Sequence, residues 1–399
     1  MIDTNKNETN ADISTLEDRR LIKDLIVISQ FYGRDNRFVI AGGGNTSYKN
    51  ADKLWVKASG SSLANISEDG FALMDRAKLN LMSDRIYSSN AAEREEEVKN
   101  DLAAATISKA KRPSVETSMH NAINFTFVVH LHPTMVNGLM CSKNAESDLK
   151  RLFGEKALYV EYTDPGYVLF KKVENSIKRF REKEATEPSV IWLQNHGIFV
   201  AANSIEEIKV LYTKILTVLS ESATESHGFT IFDEPRAICS YTEEILSGLR
   251  MIFSTPDLKI LKVRKNMLIK HFYDTAEAQA KIAKPFTPDA IVYCKSNYVF
   301  LNDVIPVDVL ATAQKVIPVF ISKYGYQPKV ILIKGIGLVA VGDNAAQCDI
   351  ILDVFEDAMR IAYLSESFGG AHPMTQIQID FIDNWEVENY RRTVVTSAS

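Results

Sequence analysis

Val128-Val129-His130-Leu131-His132-Pro133, read with Gln194-Asn195-His196-Gly197 further along the chain, decides how this sequence is organised. The first stretch is an apolar β-type run ending in two histidines one residue apart. Side chains alternate across a strand with period two, so His130 and His132 share one face at its end. The second stretch places a histidine beside a glycine between two apolar runs, Val190-Ile191-Trp192-Leu193 and Ile198-Phe199-Val200-Ala201, both read as strands. Three imidazoles bind Zn²⁺ or a similar divalent ion and leave a coordination position open, as a catalytic metal requires. Singly, each histidine is equally well a satisfied core or surface residue. The set of three carries the metal reading.

Working outward, strands and helices alternate. Ser14-Thr15-Leu16-Glu17 is a capping box, and Leu21, Ile22, Leu25 and Ile26 follow at helical spacing. Phe38-Val39-Ile40-Ala41 reads as β, Gly42 to Ser47 as a loop, and Leu54-Trp55-Val56-Lys57 as a strand closed by Ala58-Ser59-Gly60-Ser61. An amphipathic helix is expected over about 92–108, and a shorter one over about 115–123 leads into the His130 strand. Ser204-Ile205-Glu206-Glu207 opens a helix running to about Glu225. This alternation gives an α/β chain. The stretch 233–284 reads as mostly helical and carries no motif.

A faint echo follows. Pro288 to Lys295 has the texture of the His130 strand, with Tyr293 and Lys295 where the histidines would be. Ile331 to Val341 matches the Trp192 to Ala201 segment, with Ile336 in place of His196. We read a degenerate half-repeat that has lost its ligands, although any strand-turn-strand-helix is alike at this level. The expected organisation is a disordered leader (1–13), a catalytic domain (14–235), and a helical connection with a smaller metal-free lobe (236–399).

With 399 residues, 46% of them hydrophobic, the chain buries a large core. Net charge is −5 with acids and bases interspersed, which is no nucleic-acid footprint. No apolar run reaches membrane-spanning length. The four cysteines (Cys141, Cys239, Cys294, Cys348) lie far apart and read as buried thiols of a reducing compartment. A soluble cytoplasmic protein is expected, with its lysines at the surface.

Glu116, in Arg112-Pro113-Ser114-Val115-Glu116, lies just before the first ligand strand. It is either a plain helix-start charge or a general acid/base whose pKa is raised in a partly apolar pocket. His120, one turn on, shares its helix face and reads as structural rather than as a ligand. The glycines of the 42–47 loop, with Asn45, Thr46 and Ser47, make either a turn or an anion site of backbone N–H groups. It is no Walker loop and lacks GxGxxG spacing. Ser59, Gly60 and Ser114 are further donors if they converge there.

Together these motifs resemble the class II aldolase/adducin family: GGGNTS at 42–47, KASG at 57–60, PSVE at 113–116, HLHP at 130–133 and NHG at 195–197, in order. More narrowly, the chain from about residue 15 to 392 is similar to the aldolase portion of bifunctional rhamnulose-1-phosphate aldolase/lactaldehyde dehydrogenases. The dehydrogenase portion is expected to be missing. The resemblance implies a three-layer α/β/α fold with a mainly antiparallel central sheet. It implies His130, His132 and His196 as zinc ligands and Glu116 as catalytic acid/base. Gly44, Asn45, Ser59, Gly60 and Ser114 would hold a substrate phosphate, with Val115 standing where many members have a second serine. The family's tyrosine proton donor has no clean match; Tyr162 and Tyr167 are the candidates. The implied activity is aldol cleavage of a deoxyketose 1-phosphate, first L-rhamnulose 1-phosphate, to dihydroxyacetone phosphate and an aldehyde such as L-lactaldehyde. A sugar-phosphate 4-epimerase or dehydratase, and a non-catalytic adducin-like binding protein, are the alternatives. Family members place the site between subunits of a homo-oligomer. The expectation for this chain is that the extra lobe supplies that neighbouring surface in cis.

Overall fold

The computed structural model describes residues 16–108, 111–223, 231–232, 240–254, 257–303 and 305–384. The leader, the Ser14 cap and Cys239 lie outside these residues. Seven strands form the larger sheet: β1 (Asn45–Lys49), β2 (Lys53–Lys57), β3 (Phe71–Asp75), β4 (Phe127–Leu131), β5 (Leu158–Val160), β6 (Val190–Leu193) and β7 (Gly197–Ala202). Their order is β3-β2-β1-β4-β7-β6-β5. This sheet is mixed rather than wholly antiparallel: five of its six strand pairings are antiparallel and one is parallel. β5 runs parallel to β6, and the helix Tyr167–Glu184 makes the crossover that a parallel pair needs.

Every residue of β1, β4 and β7 is buried, so both faces of the sheet centre are covered. The β4 and β7 sequences therefore run apolar instead of alternating. On one face, Leu25, Ile28, Ile208 and Tyr212, from the helices Leu16–Gly33 and Ile205–Ser222, pack on Phe127, Val129 and Val200. On the other, Met119, Leu169, Phe170 and Val173 cover Val128, Phe199 and Ala201. Strand parity thus turns His130 to the face that carries the helix Thr117–Ala122.

Phe38 to Ala41 is not a strand; it belongs to a turning segment in which Ala41 has φ 53° and Gly44 φ 69°. β1 starts at Asn45, so Asn45, Thr46 and Ser47 are ladder residues and only the glycines turn. The register pairs Asn45 with His130, which brings the two motifs together.

A second sheet has the order β8-β11-β10-β9, with β8 (Ile260–Arg264), β9 (Val299–Leu301), β10 (Val330–Ile333) and β11 (Gly337–Gly342). β8–β11 and β11–β10 are antiparallel and β10–β9 is parallel. The run β4-β7-β6-β5 has the same order and senses. Leu193 pairs with Gly197 as Ile333 pairs with Gly337, so Ile336 occupies the place of His196. Val263, opposite Val339, then corresponds to His130, opposite Phe199, and Lys265 to His132.

The stretch read as mostly helical holds the helices Ser240–Phe253, Met267–Asp274 and Ala276–Lys281, with the unforeseen β8 between them. One expectation fails here. Pro288–Cys294, read as the echo of the His130 strand, is a helix, so Tyr293 and Lys295 are not the counterparts of the histidines. Thr287 accepts from the Ala290 N–H, and Pro288 fills the first turn, a strong helix start. This helix and the helix Ala345–Ser365 join the second sheet in an apolar cluster that includes Cys141, at the end of the helix Thr134–Met140 that follows β4. Cys141, Cys294 and Cys348 are buried free thiols. Among the described residues, no helix is long and apolar enough to cross a membrane.

Candidate metal centre and pocket

His130 sits one residue from the end of β4, its ring stacked on Phe199 at 4.1 Å. Its Nδ1–H donates to the Ile198 carbonyl at 3.0 Å, since only the ring nitrogen can be the donor there. Nε2 is thereby left as an acceptor. His132, just past the strand, puts Nε2 3.0 Å from that atom and Nδ1 2.7 Å from Oδ2 of Asp289. His196 lies in the β6–β7 turn with its Nε2 3.3 Å from that of His130. The turn needs Asn195 in the left-handed region (φ 53°), and Asn195 Nδ2 anchors it by donating to the Phe286 and His372 carbonyls. Gly197 is required by close approach: a Cβ there would lie 2.6 Å from Cδ2 of His132 and 2.5 Å from the Leu131 oxygen.

Nitrogens about 2.0–2.1 Å from a tetrahedral centre stand about 3.3 Å apart. His130 Nε2 stands at nearly this spacing from the other two Nε2 atoms, 3.0 and 3.3 Å, and all three lie within 4.8 Å of one another. With the other nitrogens of His130 and His132 already serving as donors, they fit a divalent cation. The three histidines form a group able to hold a metal ion.

Glu116 immediately precedes the helix Thr117–Ala122. Its Oε1 lies 3.2 Å from His130 Nε2 and 3.6 Å from His196 Nε2, while Oε2 accepts from Asn45 Nδ2 at 3.1 Å. Burial pushes this carboxyl up, but the neighbouring imidazoles of His130 and His196 outweigh it and hold the group well below the usual carboxylate range. The expected raised pKa is therefore corrected: the apolar walls are present, yet the facing imidazoles dominate. Burial lowers His196 to about 4 against the opposing pull of Glu116, so it is neutral at pH 7 and able to ligate. His120 is structural: it pairs through Nδ1 with Ser47 Oγ at 2.8 Å, and burial lowers it to about 3.

A pocket opens beside this cluster, and Gly44, Asn45, Ser59, Gly60, Ser114 and Glu116 all line it. The expected phosphate-binding residues do converge there. Lys57 lines it too, buried at the end of β2 with its ammonium donating to the Gly42 carbonyl at 3.1 Å. Lys57 and the buried Lys49 correct the expectation of surface lysines; their burial follows from strands covered on both faces. Thr287, Pro288 and Asp289 form another wall. Neither tyrosine candidate lines the pocket. Tyr162 packs against an apolar cluster with Ile291 and Met374, and burial, then Asp164, raises its phenol far above the usual value. Tyr167 packs edge-on against Tyr87 at 4.8 Å. Lys57 was legible only as part of the KASG motif, and Asp289 gave no signal at all.

This fold and this cluster define a class. Residues 23–219 match the family described as the Class II Aldolase and Adducin N-terminal domain. Among individual relatives, the chain is similar to the uncharacterized oxidoreductase YuxG of Bacillus subtilis, 23% identical over an aligned length of 414 residues covering 94% of this chain. It spans only 58% of that relative's length. It is also similar to L-fuculose phosphate aldolase of Methanocaldococcus jannaschii, 25% identical over 198 residues, covering 47% of this chain and 86% of that protein. Among solved structures, the N-terminal class II aldolase domain of a conserved protein from Thermoplasma acidophilum matches with a TM-score of 0.43 and 23% identity. That match covers 55% of this chain and 99% of the other.

Proposed function

We propose that this chain is a zinc-dependent class II aldolase that cleaves a deoxyketose 1-phosphate. L-rhamnulose 1-phosphate, giving dihydroxyacetone phosphate and L-lactaldehyde, is the first substrate to test. The observation that carries the reading is the convergence of three Nε2 atoms with Oε1 of Glu116 3.2 Å from one of them. An all-imidazole donor set suits zinc. Held by His130, His132 and His196, the cation supplies Lewis-acid stabilisation of charge developing on the substrate oxygens.

The remaining chemistry belongs to side chains of this protein. Glu116 exchanges a proton with the carbon of the dihydroxyacetone phosphate fragment, giving it in cleavage and taking it in synthesis. Its resting carboxylate is ready for the synthetic direction. In cleavage the hydroxyl that becomes the aldehyde carbonyl gives up its proton as the carbon–carbon bond breaks, and one proton delivered to Glu116 and passed to the enediolate carbon balances that loss. Asn45, holding Oε2, leaves Oε1 toward the imidazoles. Gly44, Ser59, Gly60 and Ser114 would bind the phosphate, with Lys57 supplying the charge that a dianion favours. No proton step is assigned to Tyr162.

We further propose that the second sheet is a ligand-free copy of half of the first, supported by its identical strand order and senses. The ligand class is a small sugar phosphate, and a homo-oligomer is the expected assembly.

Incubating the purified chain with L-rhamnulose 1-phosphate and L-fuculose 1-phosphate, and following dihydroxyacetone phosphate with a coupled reductase, tests the reading. If neither sugar releases it, the aldolase is lost, and an epimerised or dehydrated product points to the sister reactions instead. Glu116→Gln is expected to lower kcat by about 10²–10⁴-fold while zinc content is kept. A parent chain without zinc would revive the adducin-like binding role.

A further inference from the structure

We infer that Asp289, which lies beyond the 23–219 family match, is a positioning residue for the metal ligand His132. Its carboxylate fixes the proton of His132 on Nδ1 and aims Nε2 into the cluster, so a remote helix sets the affinity of the metal centre. The inference rests on the metal reading above and deepens it.

The geometry is specific. Oδ2 of Asp289 stands 2.7 Å from Nδ1 of His132, the length of a charge-assisted hydrogen bond. An ionised carboxylate only accepts, so Nδ1 carries the proton and Nε2 presents its lone pair. His130 divides its two nitrogens in the same way, but against a neutral carbonyl of the adjacent strand. His132 has run past the end of β4 and has no such strand partner. Its orientation comes from across the molecule.

Asp289 is itself well placed. It occupies the first turn of Pro288–Cys294, where the helix end favours a carboxylate. That helix is tied to the site at both ends. The Phe286 carbonyl, just before it, accepts from Asn195, and the Tyr293 hydroxyl accepts from the Gly42 N–H at 3.2 Å. Gly43 leaves room for the pair, since a Cβ there would lie 3.2 Å from Oδ2 and 3.6 Å from Nδ1. The glycine turn, the helix and the imidazole are thus built around one hydrogen bond. A carboxylate partner raises the basicity of a ligating imidazole, and losing such a partner commonly weakens metal binding about 10–100-fold.

The test uses the full chain stripped of metal, with zinc competed against a chromophoric chelator at pH 7.5. Asp289→Asn keeps the size and an acceptor oxygen but loses the charge. We expect zinc binding weakened about 10–100-fold, with the thermal transition of the stripped protein unchanged. Long-range ¹H–¹⁵N spectra of the stripped parent should show His132 protonated at Nδ1, the signal being assigned by its loss in His132→Gln. A variant that binds zinc within threefold of the parent overturns the inference, as does an Nε2–H tautomer in the parent. The tautomer decides the matter even if the variant fails to fold. A parent that binds no zinc defeats the metal reading itself, an outcome distinct from equal binding by parent and variant.

Discussion

Asp357, on the helix Ala345–Ser365, shows what a single half-buried acid does to this fold. Thr134 Oγ1 donates to its Oδ1 at 2.5 Å, yet burial raises the carboxyl from 3.8 to about 6 against that bond and the pull of Arg360. Between these two values the folded chain keeps a proton that the unfolded chain has released, so stability falls as pH rises through that window. Above pH 6 the fold carries the full cost of an ionised half-buried group. Asp357→Asn keeps an acceptor for Thr134 and removes that cost. It should raise stability at pH 7 by about 1–3 kcal/mol and by nothing near pH 4. Urea midpoints at the two pH values check this, and a variant less stable at pH 7 contradicts it. The same scale shows what sequence can reveal about a site. His130 and His132 stand at and just past the end of one strand, and Glu116 immediately precedes the helix that leads into it, so spacing exposed them. Asp289 meets His132 across 157 residues, and no periodicity records such a contact.

At the scale of elements, the helix Thr134–Met140 that follows the HLHP strand packs on the helix Ala345–Ser365 through a glycine. A Cβ on Gly138 would lie 2.6 Å from Cβ of Leu364. Alanine improves helix propensity by about 1 kcal/mol, while overpacking a tight contact costs about 1–3 kcal/mol. Overpacking should win, so Gly138→Ala is expected to lower the urea midpoint. Leu364→Ala in the same chain should recover part of the loss, and strictly additive effects would show that the helix contact is not the cause. Elements with strong local signals were readable: β6 and β7 as apolar runs flanking NHG, and the 205–222 helix from its Ser204 cap. β1 was not, because its polar sequence Asn-Thr-Ser-Tyr-Lys forms a strand only through pairing with β2 and β4. β8 alternates lysine and arginine with apolar residues, and its half-exposed surface left no apolar run to read. Pro288–Cys294 misled for the opposite reason, since a short buried helix and a buried strand are equally apolar.

Across the whole molecule, the two sheets share a strand plan but not a chemistry. Where the first holds His130, His132 and His196, the second holds Val263, Lys265 and Ile336, and Lys265 Nζ donates to the Gly335 carbonyl at 2.8 Å. An ammonium and two apolar side chains cannot ligate a cation, so one zinc per chain is expected by elemental analysis. The C-terminal part still acts on the first site. It supplies Asp289, the Phe286 and His372 carbonyls that anchor Asn195, and apolar cover for Cys141. A fragment ending at residue 235 would leave His132 without its carboxylate and the His196 turn without its anchors. It would also expose apolar surface now buried, which favours self-association. Such a fragment should bind zinc at least about tenfold more weakly than the full chain and show no aldolase turnover, by chelator competition and the coupled assay. Light scattering should find it larger than its own mass. A monomeric fragment with the affinity and turnover of the full chain would mean that the second sheet is an appendage. Between these outcomes, a folded fragment that is inactive yet regains activity when mixed with residues 236–399 would show directly that the site is completed by the chain's own second half.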